Sequence, residues 1–241
     1  MTDLVPVIAA ALWGAAAGAF LPRAVYRFSA PAGEPWRDGC PDGHPVRGWL
    51  GRAHCPTCAR SYGPGAAPLS LAAALVCAAL AAATGTRPEL GAWLLLAPLG
   101  VLLAVVDFRV QRLPDPLTLP FAAAALALLG VVAFVPEHTG EWLTSLYGAL
   151  ALGGGYLVLF LINPSGMGFG DVKLALGMGA VLGWYGWSTL MLGTFAGFLL
   201  GALYGGALVV ARRAGRKTAI PFGPFLIAGA FLGLLMGAYA A

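Results

Sequence analysis

Eight long apolar runs dominate this chain of 241 residues and restrict it to one class of fold. Hydrophobic residues make up 59% of the sequence and charged residues only 10%. Soluble domains carry about 25% charged residues, and a run of about 20 apolar residues crosses a bilayer as a helix. The sequence therefore predicts an all-α polytopic membrane protein with about eight transmembrane helices, over residues 4–22, 66–84, 90–106, 117–135, 142–162, 172–187, 189–210 and 220–240.

The distribution of basic residues predicts the orientation in the membrane. When the eight runs cross in turn, every lysine and arginine except Arg87 falls on one side. Loops rich in these residues face the cytoplasm. We therefore expect a multi-pass protein of the cell (inner) membrane with both termini extracytoplasmic. The net charge of +4 follows from this pattern and does not indicate a nucleic-acid partner; contact with anionic membrane lipids is expected at Arg212, Arg213, Arg216 and Lys217.

Two aspartates stand at the ends of apolar runs, where a carboxylate is costly. Asp107 directly follows residues 90–106, and Asp171 closes the sequence Gly168-Phe169-Gly170-Asp171. A charged side chain within a bilayer costs ~2.5–3.5 kcal/mol on insertion scales, so such residues are usually functional. Both are predicted at the cytoplasmic ends of their helices. Two carboxyl groups that share one proton can serve as base and acid on a water that attacks a peptide bond.

The neighbours of the second aspartate suggest a substrate-binding role. Glycines at Gly168 and Gly170 allow another chain to approach the backbone closely, so a substrate strand can lie along them. Lys173 follows and is a candidate for positioning that substrate. A structural alternative is that Asp171 pairs with Lys173 or caps its own helix.

The first aspartate also has structural alternatives. Asp107 can pair with Arg109 or Arg112, which follow it closely. Asp115 lies between two prolines, which predict a turn before the next helix. We therefore expect Asp115 to occupy a rim loop or to cap the fourth helix, and Asp107 to be the deeper, catalytic group.

A polar segment over residues 28–65 contains a candidate metal site. It is too short for a hydrophobic core of its own, and a cytoplasmic location favours metal over disulfides. Cys55-Pro56-Thr57-Cys58 has the spacing of a zinc knuckle, and Cys40 with His44 can supply the second ligand pair. His54 competes as the fourth ligand. The alternative is a degenerate knuckle that binds no metal.

The order of these motifs resembles that of the type IV prepilin peptidases, intramembrane aspartic proteases of the Gly-x-Gly-Asp class. The resemblance covers nearly the whole chain. The residues that carry it are Asp107 with Leu113-Pro114-Asp115, Gly168-Phe169-Gly170-Asp171-Val172-Lys173 and Pro221-Phe222-Gly223-Pro224-Phe225. In the first apolar run, the family signature Gly-Ser-Phe-Leu-Asn followed by Tyr-Arg is similar to Gly18-Ala19-Phe20-Leu21 followed by Tyr26-Arg27.

This resemblance implies cleavage of a leader peptide from prepilins and pseudopilins at the cytoplasmic face, with Asp107 and Asp171 as the catalytic pair and no cofactor for the peptidase. It further implies methylation of the new N-terminus with S-adenosylmethionine by a methyltransferase-like region over residues 1–84. That region contains the cysteine loop (28–65). Residues 85–241 then form the peptidase region.

Three departures from the family pattern leave methyl transfer open. Gly43 stands where a first CxxC pair would have its second cysteine, although His44 can compensate. Ala19 and Pro22 replace the usual Ser and Asn of the first-run signature. The changes fall in the part of the family linked to methylation, so the sequence predicts the peptidase more firmly than the methyltransferase.

Two other classes of protein compete with a protease. A transporter or channel with a functional carboxylate pair is often built from repeated halves, and the sequence shows no repeat. An inactive scaffold of pilus assembly would most plausibly lack one of the aspartates, and both are present. The sequence therefore favours the peptidase. No feature of it predicts an oligomeric state.

Overall fold

The computed structural model describes residues 4–164, 166–212 and 220–241, and over these the predicted all-α fold is confirmed. Apart from two isolated β-bridges in the cysteine loop, regular structure in the described residues is helical. The eight helices are α1 Leu4–Phe28, α2 Ala66–Thr84, α3 Glu89–Val110, α4 Asp115–Val132, α5 Trp142–Ile162, α6 Phe169–Gly183, α7 Trp187–Val210 and α8 Gly223–Ala240.

Helix α1 extends furthest beyond its predicted run, and α6 is the shortest of the eight helices in the described residues. Helix α1 continues through Pro22 to Phe28, so it carries its basic residues beyond the apolar run. Helix α6 has 15 residues and is about 22 Å long at 1.5 Å per residue. The other seven helices are long and apolar enough to cross a membrane. From Asp171 onward, all of α6 is buried or half-buried among other helices, so the span needed to cross lipid does not set its length.

Close packing of glycines aligns α6 with α5 along nearly its whole length. A Cβ atom at Gly148 would lie 2.5 Å from the carbonyl oxygen of Gly179, and one at Gly183 would lie 2.5 Å from that of Thr144. At the other end of the pair, the rings of Phe160 and Phe169 are 5.3 Å apart. Helix α6 is therefore antiparallel to α5 and returns the chain to the end of the bundle where α5 began.

The cysteine loop is attached to one end of the bundle by arginine side chains. Arg23 donates a hydrogen bond to the carbonyl oxygen of Arg47 at 2.8 Å, and Arg27 donates one to that of Gly48 at 2.7 Å. Arg112, in the α3–α4 turn, donates to the carbonyl oxygen of Pro31 at 2.7 Å. Arg112 thus binds the loop, and the structure does not support the alternative that it pairs with Asp107.

The opposite end of the bundle is closed by a buried polar network. Glu89 is fully buried, and its carboxylate accepts hydrogen bonds from the hydroxyl groups of Thr139 at 2.8 Å and Tyr185 at 3.3 Å. Arg87 lies 3.8 Å from the same carboxylate and donates to the carbonyl oxygen of Thr84 at 2.7 Å. A buried charge needs such partners, and here they join the ends of α2, α3 and α6.

Candidate active site

Asp107 is fixed by the first residue of another helix. Its side chain is buried in the last turn of α3, and one carboxylate oxygen accepts a hydrogen bond from the backbone N–H of Gly223 at 3.0 Å. The first N–H groups of a helix have no partner within that helix, so α8 has this donor available. The helix terminus therefore orients the carboxyl group.

Asp171 is fixed by the N-terminus of its own helix. It lies in the first turn of α6 and is buried, with 7% of its surface exposed. One carboxylate oxygen accepts a hydrogen bond from the backbone N–H of Gly168 at 3.2 Å, and the N–H of Asp171 donates to the carbonyl oxygen of Gly168 at 3.0 Å. Asp171 therefore caps α6, as the structural alternative proposed. This cap uses one carboxylate oxygen, so it does not exclude a chemical role.

Leu113 joins the two aspartate-bearing segments. A Cβ atom at Gly170 would lie 2.8 Å from the Cβ of Leu113, and one at Gly223 would lie 3.3 Å from its Cδ1. Gly170, which precedes Asp171, and Gly223, which is hydrogen-bonded to Asp107, therefore pack against the same side chain. The two carboxyl groups interact electrostatically with each other. The ends of α3, α6 and α8 thus bring two buried carboxyl groups into one site.

The glycines before Asp171 have different surroundings. Gly170 is packed against Leu113, which explains why a side chain is excluded there. Gly168 has an ordinary extended backbone with φ −76°, and its hypothetical Cβ would contact Asp171 at 3.5 Å. The role of both glycines in binding a substrate strand stays a prediction.

Lys173 binds a different aspartate from the one considered in the sequence. Its ammonium nitrogen lies 2.6 Å from the carboxylate of Asp115 and 4.8 Å from the centroid of the Phe169 ring. Asp115 is the first residue of α4, whose N-cap residue is Pro114 and whose N-terminus has no side-chain cap hydrogen bond among the described residues. The ion pair therefore connects the start of α4 to the start of α6 beside the site, and it leaves Asp171 without this lysine as a partner.

The four predicted metal ligands converge in the cysteine loop. The ligand atoms of Cys40, His44, Cys55 and Cys58 all lie within 4.8 Å of one another. Backbone N–H groups, first that of Cys58, point at the Cys55 sulfur and lower the pKa of its thiol, whereas burial raises the pKa of the neighbouring Cys58 thiol. The thiolate is the form that binds metal. Two sulfurs are buried, and this donor set fits a tetrahedral zinc ion.

His54 is separate from this cluster of ligands. Its backbone forms an antiparallel bridge with Ser61. Its side chain lines a cavity of about 440 Å³ between the loop and the end of α1, together with Pro22, Arg52 and Ser61. The competing prediction that His54 is the fourth ligand is therefore not supported by the placement of the side chains.

An apolar cavity lies inside the bundle. It has a volume of about 330 Å³ and is lined by residues of α2, α3, α4, α6 and α8. It extends from Trp93, near one end of the bundle, to Val105 and Pro224 near the other, and neither Asp107 nor Asp171 lines it.

Three further residues shape the site, and no local pattern in the sequence assigns them a role. Gly223 and Leu113 belong to family motifs, and neither motif indicates which aspartate the residue meets. Tyr156 had no signal, because a tyrosine inside an apolar run is ordinary. In the structure it is buried, and its ring lies 5.9 Å from that of Phe222.

A helical membrane bundle with two buried carboxyl groups held by helix termini at one end defines an intramembrane carboxylate site. The chain belongs to the type IV leader peptidase family. The model of that family matches residues 94–206, a range that contains both Asp107 and Asp171.

Curated relatives extend the similarity beyond this range. The chain is 33% identical over 220 residues to the prepilin leader peptidase/N-methyltransferase of Pseudomonas aeruginosa, covering 82% of this chain and 71% of that protein. The protein of the same name from Escherichia coli is 35% identical over 178 residues, covering 69% of this chain and 71% of that protein. The one from Stutzerimonas stutzeri is 32% identical over 195 residues, covering 80% of this chain. This chain spans 66% of its length. No solved structure matches the chain.

Proposed function

We propose that this protein is an intramembrane aspartic endopeptidase that removes the leader peptide from type IV prepilins or pseudopilins, with Asp107 and Asp171 as the catalytic pair. The observation that carries the proposal is the pair of buried, interacting carboxyl groups, each bonded to a backbone N–H at a helix N-terminus. The names of the curated relatives support the choice of substrate.

The chemistry follows from two carboxyl groups that hold one proton between them. The ionised carboxylate takes a proton from a water molecule, whose oxygen attacks the carbonyl carbon of the peptide bond. The protonated carboxyl group gives its proton to the carbonyl oxygen. The C–N bond of the resulting tetrahedral intermediate then breaks, and the amine leaving group takes a proton from the first carboxyl group. One hydroxyl group of the intermediate returns its proton to the second carboxylate, which restores the starting pair. The reaction is complete without a cofactor.

We place the site at the cytoplasmic face of the cell membrane, with both termini on the other side. Support comes from the basic residues Arg23, Arg27 and Arg112, which bind the cysteine loop at the same end of the bundle as the α3–α4 turn. Loops with such residues remain cytoplasmic. The expected lipid contact of Arg213, Arg216 and Lys217 concerns positions outside the described residues.

The cysteine loop is proposed to hold one zinc ion through Cys40, His44, Cys55 and Cys58. Four ligands of these types are typical of a structural site, which has no open position for chemistry. The ion would cross-link the two halves of the loop and would take no part in peptide hydrolysis.

Methyl transfer to the new N-terminus is a second candidate function, assigned to residues 1–84. The cavity of about 440 Å³ beside the loop favours it, because that volume lies in the range of small-molecule sites. Arg52, His54 and Ser61 would hold S-adenosylmethionine there. When bound, this molecule supplies the methyl group, and the curated relatives carry N-methyltransferase in their names. The division into a methyltransferase-like region and a peptidase region (85–241) belongs to the same proposal.

Mass spectrometry of a co-expressed prepilin tests both activities. With the wild-type protein we expect a mature fragment that lacks the leader, and with Asp171→Ala we expect the uncut precursor. A fragment that is heavier by one methyl group supports the second function, and an unmethylated fragment limits the protein to cleavage. Precursor left uncut by the wild type across a panel of pilin-like leaders would contradict the peptidase proposal.

The contact between Gly223 and Asp107 predicts a sensitive position. In Gly223→Ala the new Cβ would lie 2.7 Å from the carboxylate oxygen of Asp107, so the carboxyl group has to move. A displacement of a catalytic group by about 1 Å lowers the rate about 100-fold. We expect a loss of this size in the rate of leader cleavage.

Gly100→Ala is the matched control, because its Cβ makes an ordinary contact of 3.9 Å with Ile227. The control should cleave like the wild type. Wild-type cleavage by a folded Gly223→Ala protein would show that the position of Asp107 is not critical.

A further inference from the structure

Tyr156 lies on the face of α5 that packs against the start of α6. It is 2% exposed. Gly153, three residues earlier, faces the side chain of Leu176 closely, and Phe160, four residues later, packs its ring on Phe169. Residues three or four apart share one face of a helix. Tyr156 therefore lies opposite the part of α6 between these two contacts, which is its first two turns.

The position of this tyrosine relates it to both aspartates. It faces the first two turns of α6, which carry Asp171. Its ring centroid is 5.9 Å from that of Phe222, the residue directly before Gly223, whose N–H binds Asp107. Tyr156 therefore adjoins the segments that hold both carboxyl groups.

The hydroxyl group of Tyr156 has no use in packing. Its oxygen is buried and makes no hydrogen bond within the part of the chain that the structure describes. Buried tyrosine hydroxyls usually have a partner, because an unmet donor is costly away from water. A phenylalanine would make the same ring contacts with Phe198 and Phe222 without that cost. The polar group therefore indicates a ligand that arrives with the substrate.

We propose that the Tyr156 hydroxyl donates a hydrogen bond to the carbonyl oxygen of the peptide bond that is cut. This inference rests on the proposed function of the aspartate pair. When water attacks the carbonyl carbon, negative charge develops on that oxygen until the acidic carboxyl group protonates it. A neutral donor held in place stabilises this charge in the transition state. Tyr156 keeps its proton throughout, so the proton transfers between the two aspartates and the water are unchanged.

Tyr156→Phe tests the proposal because it removes only the hydroxyl group. Loss of one such donor lowers kcat by about 10²–10³-fold, and we expect a fall of this size with KM changed by less than about threefold. The measurement is steady-state cleavage of a purified prepilin by the full-length protein in detergent. Tyr147→Phe is the matched control, because Tyr147 lies in the same helix and is 53% exposed. It should leave both constants unchanged.

Three other outcomes would overturn the inference. A folded Tyr156→Phe protein with wild-type kcat overturns the inference and leaves the proposed peptidase intact. A raised KM with unchanged kcat, or a thermal midpoint far below that of the wild type, shows that the hydroxyl serves binding or folding and also overturns it. A wild-type protein that cleaves no prepilin removes the proposed function itself, and the inference with it.

Discussion

Replacing either Asp107 or Asp171 by asparagine will reduce leader cleavage by about 10⁴-fold, because residues that act as one catalytic unit fail together. Asparagine keeps the size of the side chain and an oxygen that can accept the N–H of Gly223 or of Gly168. It can neither take up nor release a proton at neutral pH. The fold is therefore preserved while the chemistry is lost. The double variant should be no less active than either single variant.

The measurement is the first-order rate of prepilin cleavage by purified protein, with thermal unfolding in detergent as the check on folding. Asp115→Asn is the matched control. Its carboxylate is 59% exposed and pairs with Lys173 at the edge of the site, so most activity should remain. A dead Asp115→Asn protein together with a fully active Asp107→Asn protein would show that the wrong aspartate was assigned.

Loss of the zinc ion that we propose for the cysteine loop is the second large expected effect. Structural zinc contributes on the order of 10 kcal/mol to the folding of small sites, and residues 28–65 have no substantial core to replace it. Cys58→Ser should therefore lower the zinc content from about one ion per chain to nearly none and expose the loop to proteases. Metal content is measured by plasma mass spectrometry and loop order by limited proteolysis.

Leader cleavage should largely survive this change. The aspartates are held by α3, α6 and α8, and the loop contacts the α3–α4 turn at the rim, as in the hydrogen bond of Arg112 with Pro31. Cys77→Ala is the control, because Cys77 is buried in α2 outside the ligand cluster. Loss of cleavage in a folded Cys58→Ser protein would contradict a purely structural role, and unchanged zinc content would exclude this ligand set.

Much of the architecture was predictable because lipid imposes a simple pattern. Apolar runs long enough to cross a bilayer predicted eight helices. The basic residues in alternate loops predicted how the helices are oriented. Asp107 and Asp171 were identifiable because a carboxylate in such a run is costly. The cysteine and histidine spacing predicted a ligand set whose atoms the structure brings together.

The remaining features depend on contacts between distant parts of the chain. The hydrogen bond from Gly223 to Asp107 joins residues 116 positions apart, and no local pattern specifies it. The burial of Glu89 depends on Thr139 and Tyr185, which belong to other segments. The extension of α1 to Phe28 was missed because the loop that binds its arginines has no helical or apolar signal.

The short helix α6 has a consequence for how the membrane acts on the protein. A lipid-facing helix of 15 residues would be too short for an average bilayer, which would have to become thinner around it. Because α6 is enclosed by its neighbours, hydrophobic mismatch is borne by the seven longer helices. The depth of Asp171 in the membrane is then set by contacts between helices such as α5 and α6 rather than by the length of the lipid chains. The position of Asp171 is thus insulated from variation in bilayer thickness.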